Sequence, residues 1–167
     1  MRKYRKNLPL LLLTVREAIR ANFQPTLRKY GITEQQWRIL RALHEAKLMG
    51  VTEIADACLI FRPSIVGIVQ RMEEMNLVKR AAVKTDKRRV NISLTPRGKA
   101  LVNEILPIFD AIYAQLENAV GAEKLDKLYQ VLDDMMTHLG ELSLQDGEIS
   151  TGTEISTGTR ALSLVRK

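Results

Sequence analysis

From Leu8 onward, apolar residues recur three and four positions apart: Leu8, Leu11, Leu12, Val15, Ile19 and Phe23. That spacing predicts an amphipathic helix running to about Lys29, with Pro25 expected to kink it and Gly31 to end it. Thr33 with Gln36 three residues later is a capping-box pair, so a second helix should start there and carry Trp37, Leu40 and Leu43 inward to about Ala46. After a turn at Gly50, Val51, Ile54, Ala55 and Cys58 share one face of a compact helix. Another helix should begin near Pro63, a residue suited to a first turn, with Ile65, Ile68, Val69 and Met72 inward and Asn76 closing it. The period then changes. Leu77–Val83 and Arg89–Leu94 are short and rich in β-branched residues, and Val90, Ile92 and Leu94 alternate with polar ones. They predict a β-hairpin with the polar turn Lys84-Thr85-Asp86-Lys87-Arg88 at its tip. Thr95-Pro96 opens a long helix to about Val120 in which Pro107 should produce a bend, and Gly121 breaks it. A last helix carries Leu125, Leu128, Leu132, Met135, Leu139 and Leu142 at alternating steps of three and four, a heptad seam expected to pack against another helix.

The expected fold is therefore mainly α with a small β-hairpin. Only three Phe, four Tyr and one Trp are present, which suits a helical core of aliphatic residues better than a β-sandwich. In the order of helix, helix, two short helices, hairpin and two long helices, the middle part is a winged helix-turn-helix. The domain is expected to span 1–142, with the reading part at about 33–94 and flanking helices at about 8–29 and 95–142. From Ser143 the periodicity stops, and Glu148–Thr153 is repeated as Glu154–Thr159. That Gly/Ser/Thr-rich stretch, 143–167, reads as a flexible tail.

Charge sharpens the functional reading. The net charge is +7, and Lys79–Lys99 alone holds eight Lys or Arg against one Asp. Asn103–Glu154 holds eleven acids against Lys124 and Lys127. Positive charge is thus concentrated in the hairpin segment and in a basic start (Arg2, Lys3, Arg5, Lys6), where a solvated face would mix its signs. In a winged helix-turn-helix the second short helix enters the major groove of double-stranded DNA. Its outward residues here are Arg62, Ser64, Val66, Gly67, Gln70 and Arg71. Ser64 and Gln70 can hydrogen-bond base edges, Val66 can touch a thymine methyl, and Arg62 and Arg71 can bind phosphate or guanine. Arg88 at the hairpin tip can enter a narrow minor groove with Asp86 orienting its guanidinium, while Lys84, Lys87 and Arg89 flank phosphates.

The run Asp86-Lys87-Arg88-Arg89-Val90-Asn91-Ile92-Ser93-Leu94-Thr95-Pro96-Arg97-Gly98 resembles the wing signature of the MarR family, Asp-x-Arg followed by Leu-Thr-x-x-Gly. The resemblance covers Leu8–Leu142. It implies an obligate homodimer with the first and the last two helices, at about 8–29 and 95–142, as dimerisation helices, here with Leu125, Leu128, Leu132, Met135 and Leu139 in the seam, and a palindromic operator. Family members often carry Thr-Arg in the middle of the reading helix, where this chain has Val66-Gly67, so Gln70, Arg71, the wing and DNA shape should carry more of the recognition. Within the family, Thr33–Arg41, Cys58–Ser64 and Arg71-Met72-Glu73 resemble the homoprotocatechuate degradation operon repressors. That implies a repressor of 4-hydroxyphenylacetate breakdown released by a small aromatic carboxylate bound between the reading part and the dimer helices. Arg16, Arg20, Trp37 and Arg38 stand near that junction: Arg can take a carboxylate by fork pairing, and Trp can stack on a ring.

Two other readings compete. An oxidant-sensing regulator would use Cys58, the single cysteine, but its place on an apolar helix face favours a buried, inert thiol. A helical interaction protein with an incidental basic hairpin would show no salt-dependent DNA binding. No catalytic set, phosphate loop or metal-ligand spacing is present, so neither an enzyme nor a cofactor is expected. The apolar run Leu8–Leu13 is too short for a leader and no segment can span a bilayer, so a cytoplasmic protein without membrane contact is expected.

Overall fold

A computed structural model describes residues 7–83 and 86–145, with side chains described for 7–81 and 90–140. Helix α1 covers Leu8–Lys29, α2 Glu34–Ala46, α3 Val51–Ala57, α4 Arg62–Glu74, α5 Pro96–Val120 and α6 Ala122–Gln145. Strands β1 (Met49–Gly50), β2 (Val78–Val83) and β3 (Asp86–Leu94) form an antiparallel sheet in the order β1-β3-β2. The described residues divide into two compact units that meet in the chain between Ile112 and Tyr113.

The first unit holds α1 to α4, the sheet and most of α5. Asn7 caps α1 through its side chain, which accepts from the Leu10 N–H. Thr33 and Gln36 close the expected capping box on α2, each side chain taking the other's backbone N–H. Between α3 and α4 the chain turns through Leu59, a non-glycine residue at φ +49°. The core is aliphatic around Ile39, Leu40, Ile54, Val69, Met72, Ile92, Val102 and Ile105. An aromatic cluster joins α1, α2 and α5: the Phe23 and Trp37 rings lie 4.7 Å and 4.8 Å from Phe109.

Two expectations about the sheet are corrected. The segment at Gly50 is a strand as well as a turn: Met49 pairs with Ile92 and Gly50 with Asn91, so the hairpin gains a third strand. Ile92 is thereby flanked by Met49 on one side and Arg80 on the other, and it is fully buried. The turn expected at 84–88 is shorter by backbone pairing, because β3 already starts at Asp86, opposite Val83, after a register shift between Ala82 and Val83. Strand propensity loses here to the ladder that the register extends.

The Leu94-Thr95-Pro96-Arg97-Gly98 segment has a clear physical basis. The buried Thr95 hydroxyl donates to the Asn76 carbonyl at 2.6 Å and accepts from the Gly98 N–H at 3.0 Å, capping α5 while gripping the end of α4. A Cβ on Gly98 would lie 2.0 Å from the Leu77 carbonyl oxygen, so only glycine permits α5 to start against that backbone.

In α1 only Phe23 and Leu27 are buried, whereas Leu8, Leu11, Leu12, Leu13, Val15 and Ile19 are exposed. The second unit consists of the end of α5 and α6, with Gly121 at φ +96° between the two helices. Helix α6 runs to Gln145, past the boundary expected at Leu142, and leaves Leu128, Tyr129, Val131, Met136 and Leu139 exposed while Leu125, Leu132 and Met135 are half-buried. Both helices thus carry more apolar surface than one chain covers. Among the described residues no helix is long and apolar enough to cross a membrane.

Candidate nucleic-acid interface

Helix α4 presents the two faces its spacing predicts. Ile65, Ile68, Val69 and Met72 are buried against α2 and α3, and Arg62, Ser64, Val66, Gln70 and Arg71 are exposed. The outward residues make few internal demands. Gln70 Nε2 reaches Glu74 at a long 3.3 Å, and Arg71 lies beside Gly67. Val66 is exposed on the same surface, a methyl-bearing group where a polar one would read more bases.

Arg62 is more constrained than its spacing indicated. Its guanidinium forks onto the Asp56 carboxylate of α3, with Nη2 to Oδ1 at 3.1 Å and to Oδ2 at 3.2 Å. The pair is solvent-facing, so it contributes little to stability. It aims Arg62 from the start of α4 along the outward surface. Asp56 had no signal of its own in the sequence beyond lying six residues before an arginine. A second tie, Arg80 Nε to Glu73 Oε2 at 2.7 Å, fastens β2 to α4 and so sets the wing's base relative to the reading helix.

Of the wing residues, Lys84 lies outside the described residues. Asp86, Lys87, Arg88 and Arg89 belong to β3 by backbone, and their side chains also lie outside them. The basic start, Arg2 to Lys6, and the segment beyond Gln145 are likewise outside.

The four expected effector residues fall in three places. Arg16 and Arg20 come together. Arg16 pairs with Glu17 and, at 2.7 Å, with Glu34 of α2; Arg20 reaches Glu17 at 2.6 Å and Glu34 at 3.9 Å. The Arg20 hydrogen bond, with the charges of Arg20 and Arg16, holds the Glu17 carboxyl below the usual carboxylate range. This two-plus-two network ties α1 to the first turn of α2. Glu34 stands 18 residues from Arg16, beyond the reach of any local pattern. Trp37 is elsewhere: its ring is buried edge-on to Phe109, and no open stacking face is left. Arg38 turns toward the α3–α4 connection, where Nη1 donates to the Cys58 carbonyl at 2.6 Å. Its Nε is buried without a hydrogen-bond partner, so one donor of a half-buried guanidinium is unspent.

Cys58 is itself buried, and burial pushes its thiol up to about 11 against the opposing pull of Arg38. A thiol so protonated is a poor nucleophile at neutral pH. Among the described residues no group of three or more His, Cys, Asp or Glu is placed to hold a metal ion.

Comparison with known proteins adds four observations. Residues 30–89 match the MarR family model. The chain is 38% identical over 140 residues to the homoprotocatechuate degradative operon repressor of Escherichia coli, covering 84% of this chain and 94% of that protein. It is 37% identical over 131 residues to the HTH-type transcriptional regulator FarR of Neisseria gonorrhoeae, covering 78% and 87% respectively. Among solved structures, NadR in complex with 4-hydroxyphenylacetate superposes with a TM-score of 0.70 at 35% identity, covering 81% of this chain and 96% of NadR.

Proposed function

This chain belongs to the MarR family, and from that premise we propose that it is a homodimeric repressor of an aromatic-acid degradation operon, released from its operator by an aromatic carboxylate. The observation that carries the reading is the extended identity to the homoprotocatechuate repressor. A reading helix with an exposed polar face and a basic segment of +7 directly behind it agrees with that identity. In this proposal Ser64, Val66, Gln70 and Arg71 meet base edges and Arg62 the backbone. Asp86 and Arg88 place the wing in the minor groove, with Lys84, Lys87 and Arg89 on phosphates. The operator is palindromic, with half-sites about one helical turn apart, because a two-fold dimer presents two equivalent reading heads. The protein works in the cytoplasm, where its DNA is, and has no enzymatic activity.

The dimer is made by α1, α5 and α6. The exposed leucines of α1 and the apolar surface of α6 around Leu125, Leu128, Leu132 and Met135 supply the contact, with Leu139 at its end.

The effector acts where α1 meets α2. Arg16 and Arg20 supply a carboxylate site now occupied by Glu17 and Glu34. Arg38, at the α3–α4 connection, is a separate contact point through its unspent donor, and Trp37 acts from the core and not as an open platform. A ligand carboxylate that takes Arg16 or Arg20 from Glu34 breaks the tie between a dimer helix and the first helix of the reading part. The ligand then favours a different spacing of the two reading heads, to the extent of its difference in affinity between the two spacings. A coupling of about 1–3 kcal/mol is the ordinary scale.

Calorimetric titration with 4-hydroxyphenylacetate and 3,4-dihydroxyphenylacetate tests this. Wild type should bind at least one of them, and Arg16→Ala or Arg38→Ala should bind more weakly. Absence of heat for both compounds at millimolar concentration overturns the catabolic assignment. Equal binding by wild type and both variants moves the site to other residues.

A further inference from the structure

Leu59 and Phe61 are the two most exposed large apolar side chains among the described residues, at 74% and 75%. They flank the buried Ile60 in the connection between α3 and α4. Neither belongs to the apolar surfaces of α1 and α6 that a second copy would cover. Phe61 is the N-cap of α4, at φ −55° and ψ 120°, and it offers that helix end no side-chain hydrogen bond. A Ser, Asp or Asn at this position would cap the helix through its side chain, so Phe forgoes that cap and also exposes a ring to water. Three-quarters of the side chain stays in water, so the fold described does not bury the ring.

What stands around it indicates the occupant. Phe61 immediately precedes Arg62, Pro63 and Ser64, all exposed, and Val66 and Arg71 follow on the same outward surface. Arg62, the next residue, is held at the start of the reading helix by its fork onto Asp56. In a helix-turn-helix the N-terminal residues of the reading helix are those that reach base edges. The apolar group available to an aromatic side chain in a major groove is the 5-methyl of thymine.

We infer that Phe61 is a specificity-determining residue that packs on a thymine methyl in each operator half-site. This rests on the DNA-reading proposal above. The contact supplies discrimination that the apolar Val66-Gly67 centre of α4 does not provide by hydrogen bonds. It also requires an exposed Phe at a cap position where a polar residue would serve the free protein better.

A duplex selected from a randomised pool with the wild-type protein, then resynthesised with each thymine singly replaced by deoxyuridine, provides the probe. Wild type should lose roughly fivefold or more at one symmetry-related thymine per half-site, as for the loss of one base contact. Phe61→Ala should bind the unmodified duplex more weakly by a similar factor and be indifferent to methyl removal at that thymine, while Phe61→Leu keeps part of the sensitivity. Three results overturn the inference: Phe61→Ala binding with wild-type affinity, Phe61→Ala remaining as sensitive as wild type at every thymine, or Phe61→Ala changing the sedimentation coefficient, which would assign the side chain to a contact between copies. Because the side chain is three-quarters exposed, the variant should keep the wild-type melting temperature. If no duplex is selected at all, the DNA-reading proposal fails, and this inference with it.

Discussion

Gly98 is a single residue on which the junction of sheet and α5 depends. With a Cβ 2.0 Å from the Leu77 carbonyl oxygen, Gly98→Ala can be accommodated only by moving α5 or the buried Leu77 backbone just before β2. A loss of about 3 kcal/mol or more is expected, read as a fall in the chemical denaturation midpoint. A variant as stable as wild type would mean that the two backbones are further apart than described. Cys58 gives a pH test. Its pKa is raised from 9.0 to about 11 in the folded state. A raised pKa means that the folded state holds the proton more tightly, so the stability it contributes is complete below pH 9 and is lost as pH rises toward 11. Wild type should therefore lose more stability across that window than Cys58→Ala does. At neutral pH, iodoacetamide should react only on unfolding and peroxide should leave DNA binding unchanged. Rapid alkylation of the folded protein at neutral pH would revive the oxidant-sensing reading. Arg88→Ala should weaken operator binding by about 1–3 kcal/mol. Unchanged affinity at moderate salt would remove the wing from the mechanism.

At the scale of elements, much was legible because local rules agreed with the tertiary outcome. The capping box at Thr33, the four-residue inward pattern of α4 and the Thr95-Pro96 start all act within one helical turn, and each is found where its pattern placed it. Strand β1 was not legible. Two residues, one of them glycine, carry no period, and they are a strand only because β3 offers its second edge. The pairs Arg16–Glu34 and Arg62–Asp56 were hidden for a related reason: side chains on different helices meet through packing, not spacing. Trp37 shows the limit in the other direction, since an aromatic beside Arg38 fits a ring-binding site as readily as a core, and the core has it. For α6, the heptad spacing correctly marked a helix with an apolar face. Replacing Leu128 and Leu132 by Glu should give monomers or insoluble chain, because the charges would be buried in the proposed seam. A soluble double variant that still sediments as a dimer would displace the seam.

For the molecule as a whole, the proposed function joins a dimer, two reading heads and a small anion through one equilibrium. Operator affinity should fall steeply with salt, because each phosphate contact releases counterions. The basic segment at Lys79–Lys99 and the acidic one beyond Asn103 separate the charge along the chain as such a protein requires. The pathway itself was legible only as a resemblance. Nothing in charge or spacing specifies a hydroxyl on an aromatic ring, whereas the extended identity to the homoprotocatechuate repressor points to it. The most direct measurement is anisotropy of labelled DNA from the region upstream of the protein's own operon, titrated with the protein at fixed salt, without and with 4-hydroxyphenylacetate at millimolar concentration. Specific binding should weaken about fivefold or more when the acid is present, with acetate at the same ionic strength having no such effect. Specific binding that is identical with and without 4-hydroxyphenylacetate and its 3,4-dihydroxy relative would contradict the proposed release by an aromatic carboxylate.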